Sequence, residues 1–179
     1  MSKQWMAVGL LVAGLGLGGF ALARAGRAIT GVEVGNAAPD YVAVDLATGD
    51  SVSLRERYRG DVTLVNIWAT WCAPCREEMP AMQATYDSLQ GRGFRIAAVS
   101  IDQSDSTAVR AFVEEFGLTF DILHDRSGAI QRAFQTTGVP ESFLLDREGR
   151  IVRRVIGAHD WSSATNRDLI ARLLADGGA

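Results

Sequence analysis

Between Val62 and Cys75 the chain passes from an uncharged apolar run straight into a helical repeat, with two cysteines at the junction. Val62-Thr-Leu-Val-Asn-Ile-Trp68 has the continuous character of a strand buried on both faces. Beyond Cys72 and Cys75, the residues Met79, Met82, Tyr86 and Leu89 recur at helical spacing, and Gly91 and Gly93 close that helix. Such a strand needs a sheet around it and cover on either side.

The rest of the chain supplies both. Tyr41 to Leu46 and Val52 to Leu54, joined around Thr48-Gly49-Asp50, read as a hairpin. Phe94 to Ser100 reads as a second buried strand. Val109, Phe112, Val113 and Phe116 form an apolar stripe that ends at Gly117. Ile130 and Phe134 mark a short helix before Gly138. Ser142 to Asp146 and Ile151 to Ile156 read as strands joined by Arg147-Glu-Gly149, and Leu169, Ile170, Leu173 and Leu174 give a terminal amphipathic helix. This order predicts an α/β fold: a central mixed β-sheet flanked by helices on both faces, with an N-terminal β-hairpin. The methionine and phenylalanine stripes face the core rather than a cofactor.

The 179 residues allow one domain of ordinary size. A net charge of −3 and a pI near 5.4 exclude nucleic acid as a partner, because phosphates need a basic face. Two cysteines exclude a multi-disulfide scaffold and a four-cysteine zinc site. No metal site and no cofactor are expected. At the other end of the chain, Trp5 to Ala23 carries no charge and as a helix would run roughly 28 Å, close to the hydrocarbon thickness of a bilayer. Two readings stay open for it. It is an uncleaved anchor, or a signal peptide cut at the small-x-small sites of Ala21-Leu22-Ala23-Arg24-Ala25. The expected organisation is 1–25 as signal-anchor or signal peptide, 26–39 as linker, and 40–179 as the folded domain. The domain is then expected on the extracytoplasmic, periplasmic side of a bacterial cell membrane, or free in the periplasm after cleavage.

The chemistry centres on Trp71-Cys72-Ala73-Pro74-Cys75. At a helix N-terminus, unpaired backbone N–H groups and the helix dipole favour an anion, so Cys72 should favour its thiolate. Cys75 lies one turn along, close enough to form a disulfide and deeper in the helix. This is an attacking thiolate with a resolving thiol behind it. Pro74 fits the first turn, whereas Pro80 falls inside the helix and should kink it. A structural disulfide would cross-link too short a loop to stabilise the chain much. Half of a zinc site would need His124 and His159 to converge on the cysteines. Sixty-five residues on, Gly138-Val139-Pro140-Glu141 leads into the next strand, either as a plain strand entry or as a cis-proline loop facing the cysteines.

Together, Val65-Asn66-Ile67-Trp68-Ala69-Thr70-Trp71-Cys72-Ala73-Pro74-Cys75, Glu77-Glu78-Met79-Pro80 and Gly138-Val139-Pro140-Glu141 resemble the thioredoxin superfamily. They are more similar to its exported TlpA/ResA-type, cytochrome-maturation branch. The resemblance covers roughly residues 36 to 175 and implies a thioredoxin-like fold. It implies Cys72 and Cys75 as the redox disulfide, Trp71 and Pro140 beside it, and Val139 pairing its backbone with a substrate chain. Thioredoxins proper carry a proton-moving aspartate six residues before the first cysteine. Here Asn66 stands in its place, as is common in the exported branch. Glu78 matches an acidic position that this branch uses near its disulfide, and Glu141 matches an acidic residue of the cytochrome-maturation reductases. For each of Glu77, Glu78 and Glu141 a solvated surface charge is the alternative. If Glu78 relays protons, Glu78→Gln is expected to alter the pH dependence of thiol reactivity with little change in stability.

The expected activity is thiol–disulfide oxidoreduction on protein cysteines, with apocytochrome c as a client, a membrane thiol transporter as electron donor, attachment through residues 5–23, and a monomeric enzyme. A Cu(I) metallochaperone using Cys72, Cys75 and His159 or His124 is the alternative from another class. A thiol peroxidase fits less well, since Thr70 lies two residues before Cys72 rather than three.

Overall fold

The computed structural model describes residues 31–176; the apolar run Trp5–Ala23 lies outside them. A hairpin opens the fold, with β1 at Val42–Asp45 and β2 at Ser51–Ser53. A short helix α1 follows at Leu54–Arg57, then β3 at Val62–Trp68 and the long helix α2 at Ala73–Leu89. The chain continues through β4 (Phe94–Ser100), α3 (Thr107–Phe116), β5 (Asp121–His124) and α4 (Ala129–Ala133). It ends with β6 (Glu141–Leu145), β7 (Ile151–Ile156) and α5 (Ala164–Asp176).

The seven strands form one mixed sheet in the order β2-β1-β5-β4-β3-β6-β7. The apolar run read from the sequence lies near its middle. Every residue of β3 is buried. It runs parallel to β4, with Val62 opposite Phe94 and Trp68 opposite Ser100, and antiparallel to β6, with Ile67 opposite Glu141. Trp68, Phe94, Phe134, Phe143 and Trp161 are the largest side chains fully enclosed. Phe112 of α3 packs between Trp68 and Phe116, with ring centroids 4.6 and 4.5 Å away. Its stripe therefore faces the core, and Gly117 ends α3 in the left-handed region at φ 59°. The helix α2 continues through Pro80 to Leu89.

Two elements differ from the expected order. Leu54, read as the end of a strand, opens α1, because the Ser53 side chain accepts from the Glu56 backbone N–H and caps the turn. The strand β5 was not expected at all. Asp121-Ile-Leu-His124 offers only two apolar residues, too few for a period, and its pairing with β4 and β1 makes it a strand. In the segment read as linker, Gly35 N–H donates to the Ile151 carbonyl and Ala38 N–H to that of Gly149. Val32 is buried.

Because Ile67 is fully buried between two hydrogen-bonded neighbours, Ile67→Ala is expected to lower unfolding free energy by about 2–5 kcal/mol. Denaturant unfolding checks this. A loss of less than about 1 kcal/mol would mean that β3 is not the packed centre of the sheet.

Candidate active site

Where β3 ends, the chain must turn sharply to start α2, and the neighbouring strand holds that turn. The Thr70 backbone N–H and hydroxyl both donate to the carboxylate of Asp102, at 3.0 and 2.6 Å. Ser100 at the end of β4 donates to the same carboxylate at 2.7 Å, and the Ile101 N–H donates to the Trp68 carbonyl. Asp102 is buried and reaches the turn because β4 is parallel to β3, so both strands end at the same edge. It places Cys72 at the N-cap of α2, with φ −87° and ψ 105°.

There Cys72 and Cys75 form a disulfide, their Cα atoms 5.3 Å apart, and the Cys72 sulfur accepts from the Cys75 N–H at 3.2 Å. Pro74 occupies the first turn, where its missing N–H removes no helical bond. Cys75 is fully buried, as expected from its place one turn in. Cys72 is 4% exposed in this oxidised state, a smaller contrast than its position at the helix start implied. Trp71 beside it is 68% exposed.

The loop before β6 arrives at the same edge because β6 is antiparallel to β3: its first residue pairs near the last of β3. The Val139–Pro140 peptide bond is cis, and Val139 is half-buried. Trp71, Cys72 and Pro140 thus sit on loops at one edge of the sheet.

The two candidate glutamates are both buried, so neither is a solvated surface charge; Glu77 is exposed. Glu78 lies one turn beyond Cys75 and is 3% exposed. Its carboxylate accepts from the Asn66 side-chain amide at 2.7 Å and from the His159 backbone N–H at 3.2 Å. No cation pairs with it among the described residues. Burial pushes its pKa up to about 7, against the opposing pull of those two hydrogen bonds. Glu141 is 0% exposed, and Arg154 donates to it at 2.5 Å from β7. Thr137 N–H donates to its other oxygen. Side chains alternate along a strand, and Ser142, the next residue, is the one that accepts from Asn66 at 2.9 Å. The carboxylates of Glu141 and Glu78 therefore lie on opposite faces of the sheet.

Asp102 and Asn166, which the sequence did not single out, and His159, read there only as a metal-ligand candidate, complete the arrangement. Asp102 fixes the turn. The His159 backbone touches Glu78, and Asn166 holds that loop, donating to the Asp160 carbonyl at 2.6 Å while its side chain meets the His159 ring at 2.9 Å. Arg153 donates to the Asn166 oxygen. Contacts across 81 residues leave no local signal in a single sequence. Neither histidine joins a metal cluster: His124 bonds the Asp102 carbonyl, and no group of three metal-binding side chains occurs among the described residues.

Comparisons with known proteins agree with this geometry. Residues 34–154 match the AhpC/TSA family. The thiol-disulfide oxidoreductase ResA of Bacillus thuringiensis subsp. konkukian is 34% identical over 126 residues, covering 70% of this chain and 71% of that protein. The ResA of Geobacillus thermodenitrificans is 39% identical over 128 residues, covering 72% of each. The solved thioredoxin domain of a thiol-disulfide oxidoreductase from Bacteroides vulgatus superposes with a TM-score of 0.69. It is 26% identical, covering 79% of this chain and 98% of that domain.

The raised pKa of Glu78 has a consequence for stability. The folded chain keeps this proton to about pH 7, whereas an unfolded glutamate releases it near 4.5. The contribution is thus fully present below pH 4.5 and is lost as pH rises to 7, amounting to about 3 kcal/mol. The oxidised protein should lose stability across that window, and Glu78→Gln should flatten the slope. Because Glu78 is buried, this pH-dependent effect replaces the little change in stability expected of a surface residue. Urea unfolding at a series of pH values checks it, and parallel curves for the two proteins would refute it.

Proposed function

The chain belongs to the AhpC/TSA family, among its ResA-type thiol-disulfide oxidoreductases, and on that premise we propose that it reduces protein disulfides outside the cytoplasm. The observation that carries the direction of attack is the placement of the pair: Cys72 caps a helix N-terminus beside an exposed tryptophan, and Cys75 is sealed one turn in.

In the reduced enzyme, the Cys72 thiolate attacks one sulfur of a client disulfide. The client S–S bond breaks, a Cys72–client bond forms, and the departing client sulfur takes a proton. Cys75 then loses its proton and attacks the Cys72 sulfur. The Cys72–Cys75 bond forms and the second client sulfur leaves as a thiolate. Two electrons pass to the client, its released sulfurs take their protons from solvent, and the enzyme is left in the disulfide form seen here. Trp71 and Val139 offer the client an apolar edge and a backbone strand position, with Pro140 holding the loop. Glu78 is the base that receives the Cys75 proton, because it lies one turn away with a pKa near neutrality. Glu141 supports the Pro140 loop from the other face, its charge neutralised by Arg154.

The client is a cysteine-bearing polypeptide such as apocytochrome c, and a membrane thiol transporter returns the enzyme to the dithiol. A monomer suffices, since the described chain supplies every group in the cycle. The extracytoplasmic setting is supported by the uncharged segment Trp5–Ala23 and by the lack of any cysteine beyond the working pair.

Two experiments test these assignments. Cys75→Ser is expected to accumulate mixed disulfides through Cys72, visible on non-reducing gels, and Cys72→Ser to accumulate few. Equal trapping by both would remove Cys72 as the nucleophile. For location, a C-terminal alkaline phosphatase fusion to the full chain is expected to be active. A green fluorescent fusion exported by the same route is expected to be dark. The reverse pair would put the domain in the cytoplasm and rule out the proposed clients.

A further inference from the structure

Fully enclosed, Cys75 has no path of its own to water, yet it must lose a proton each time it resolves a mixed disulfide. A client docked over Trp71, Cys72 and Pro140 closes that edge further. The proton needs another exit.

A cleft of about 290 Å³ opens beside α2, lined by Glu77, Glu78, Ala81, Ala158, His159 and Asp160. It has room for several waters. None of Trp71, Cys72, Cys75, Val139 or Pro140 lines it, so it opens apart from the residues that are proposed to meet the client. We propose that this cleft is the proton exit of the resolving step, carrying the Cys75 proton from Glu78 to solvent while the client remains covalently attached. The inference rests on the reading of Glu78 as the base for Cys75.

Built from its elements, the cleft has a defined polarity. The helix α2 contributes the exposed Glu77 and the buried Glu78, and the loop after β7 contributes His159 and Asp160. On the inner side Glu78 meets the neutral amide of Asn66 from β3, which in turn touches Ser142 of β6. From α5 the neutral Asn166 reaches the His159 ring, and Arg153 of β7 reaches Asn166. Arg153 is thus held a residue away from the acid, and Arg167 of α5 acts on Asp160 at the cleft's outer wall. Two alanines, Ala81 on the helix and Ala158 on the loop, leave the gap unfilled between these polar walls. Along this route the Cys75 S–H bond breaks toward the Glu78 carboxylate and the resulting thiolate attacks the Cys72 sulfur. The client sulfur departs as a thiolate, and Glu78 then passes its proton to water in the cleft.

The bis(nitrothiobenzoate) disulfide reports the two steps separately with the full reduced protein. The first coloured thiolate is released when Cys72 attacks, and the second when Cys75 resolves. Ala158→Leu and Ala81→Leu are each expected to slow the second release by on the order of tenfold near pH 7 and leave the first unchanged. Glu78→Gln is expected to slow the second release at least as much, and adding Ala158→Leu to it should slow it no further. Should either leucine variant release the second thiolate at the unsubstituted rate while Glu78→Gln is slow, the cleft is not the exit and the base assignment stands. Should Glu78→Gln itself be as fast as the unsubstituted protein, both fall. Ala158 is exposed, so its variant keeps the test available if leucine at the half-buried Ala81 prevents folding.

Discussion

β3 runs from Val62 to Trp68 without an exposed side chain, and the positions of the reactive groups follow from how its two edges are paired. Parallel pairing with β4 brings Asp102, just past that strand, to the turn that leads into Cys72. Antiparallel pairing with β6 brings Pro140, just before that strand, to the same edge. Neither placement depends on the loops themselves. If β3 shifted by one residue, Asn66 would leave the α2 face, and the Cys72 turn would lose its register with Asp102.

Much of this could be read directly from the residues. The buried strand, the helix that follows it, the α3 stripe and the β6–β7 hairpin all announce themselves by period or by punctuation, and the cysteine pair lies at the one junction where it can work. What stayed hidden was set by tertiary contact. β5 has two apolar residues and is a strand because β4 and β1 flank it. α1 did leave a trace, since Ser53 and Glu56 have the spacing of a capped helix start, but it adjoins the strand pattern of Val52 to Leu54. Burial of Glu78 and Glu141 could not be read from a sequence in which acidic residues are usually solvated. The supporting roles of Asp102, His159 and Asn166 depend on distances of 32, 81 and 7 residues along the chain, and only the last is local.

The two buried glutamates show how environment divides one residue type between two tasks. Arg154 lies 2.5 Å from the buried Glu141 as its ion-pair partner, and removing the arginine would leave that carboxylate without a cation. Glu78 has only neutral donors. Nothing offsets the cost of its charge fully, so its proton is held to near neutrality and remains exchangeable. A carboxylate paired with a cation suits the loop that carries Pro140. An exchangeable proton suits the helix that carries Cys75.

Asn66 explains why the acid can sit on the helix at all. Its amide nitrogen donates to Glu78 and to Ser142, while its oxygen finds no donor among the described residues. When Glu78 is ionised, the donating amide is the partner it needs. When Glu78 is protonated, the same amide turned about its Cβ–Cγ bond presents an acceptor to the acid's hydroxyl, so the contact survives in both states. An aspartate at position 66 would instead set a second carboxylate against the first, and one of the two would have to stay protonated. With asparagine in the strand, the proton chemistry of this edge is confined to one carboxylate. That carboxylate also borders the cleft, as the buried one among Glu77, Glu78 and Asp160.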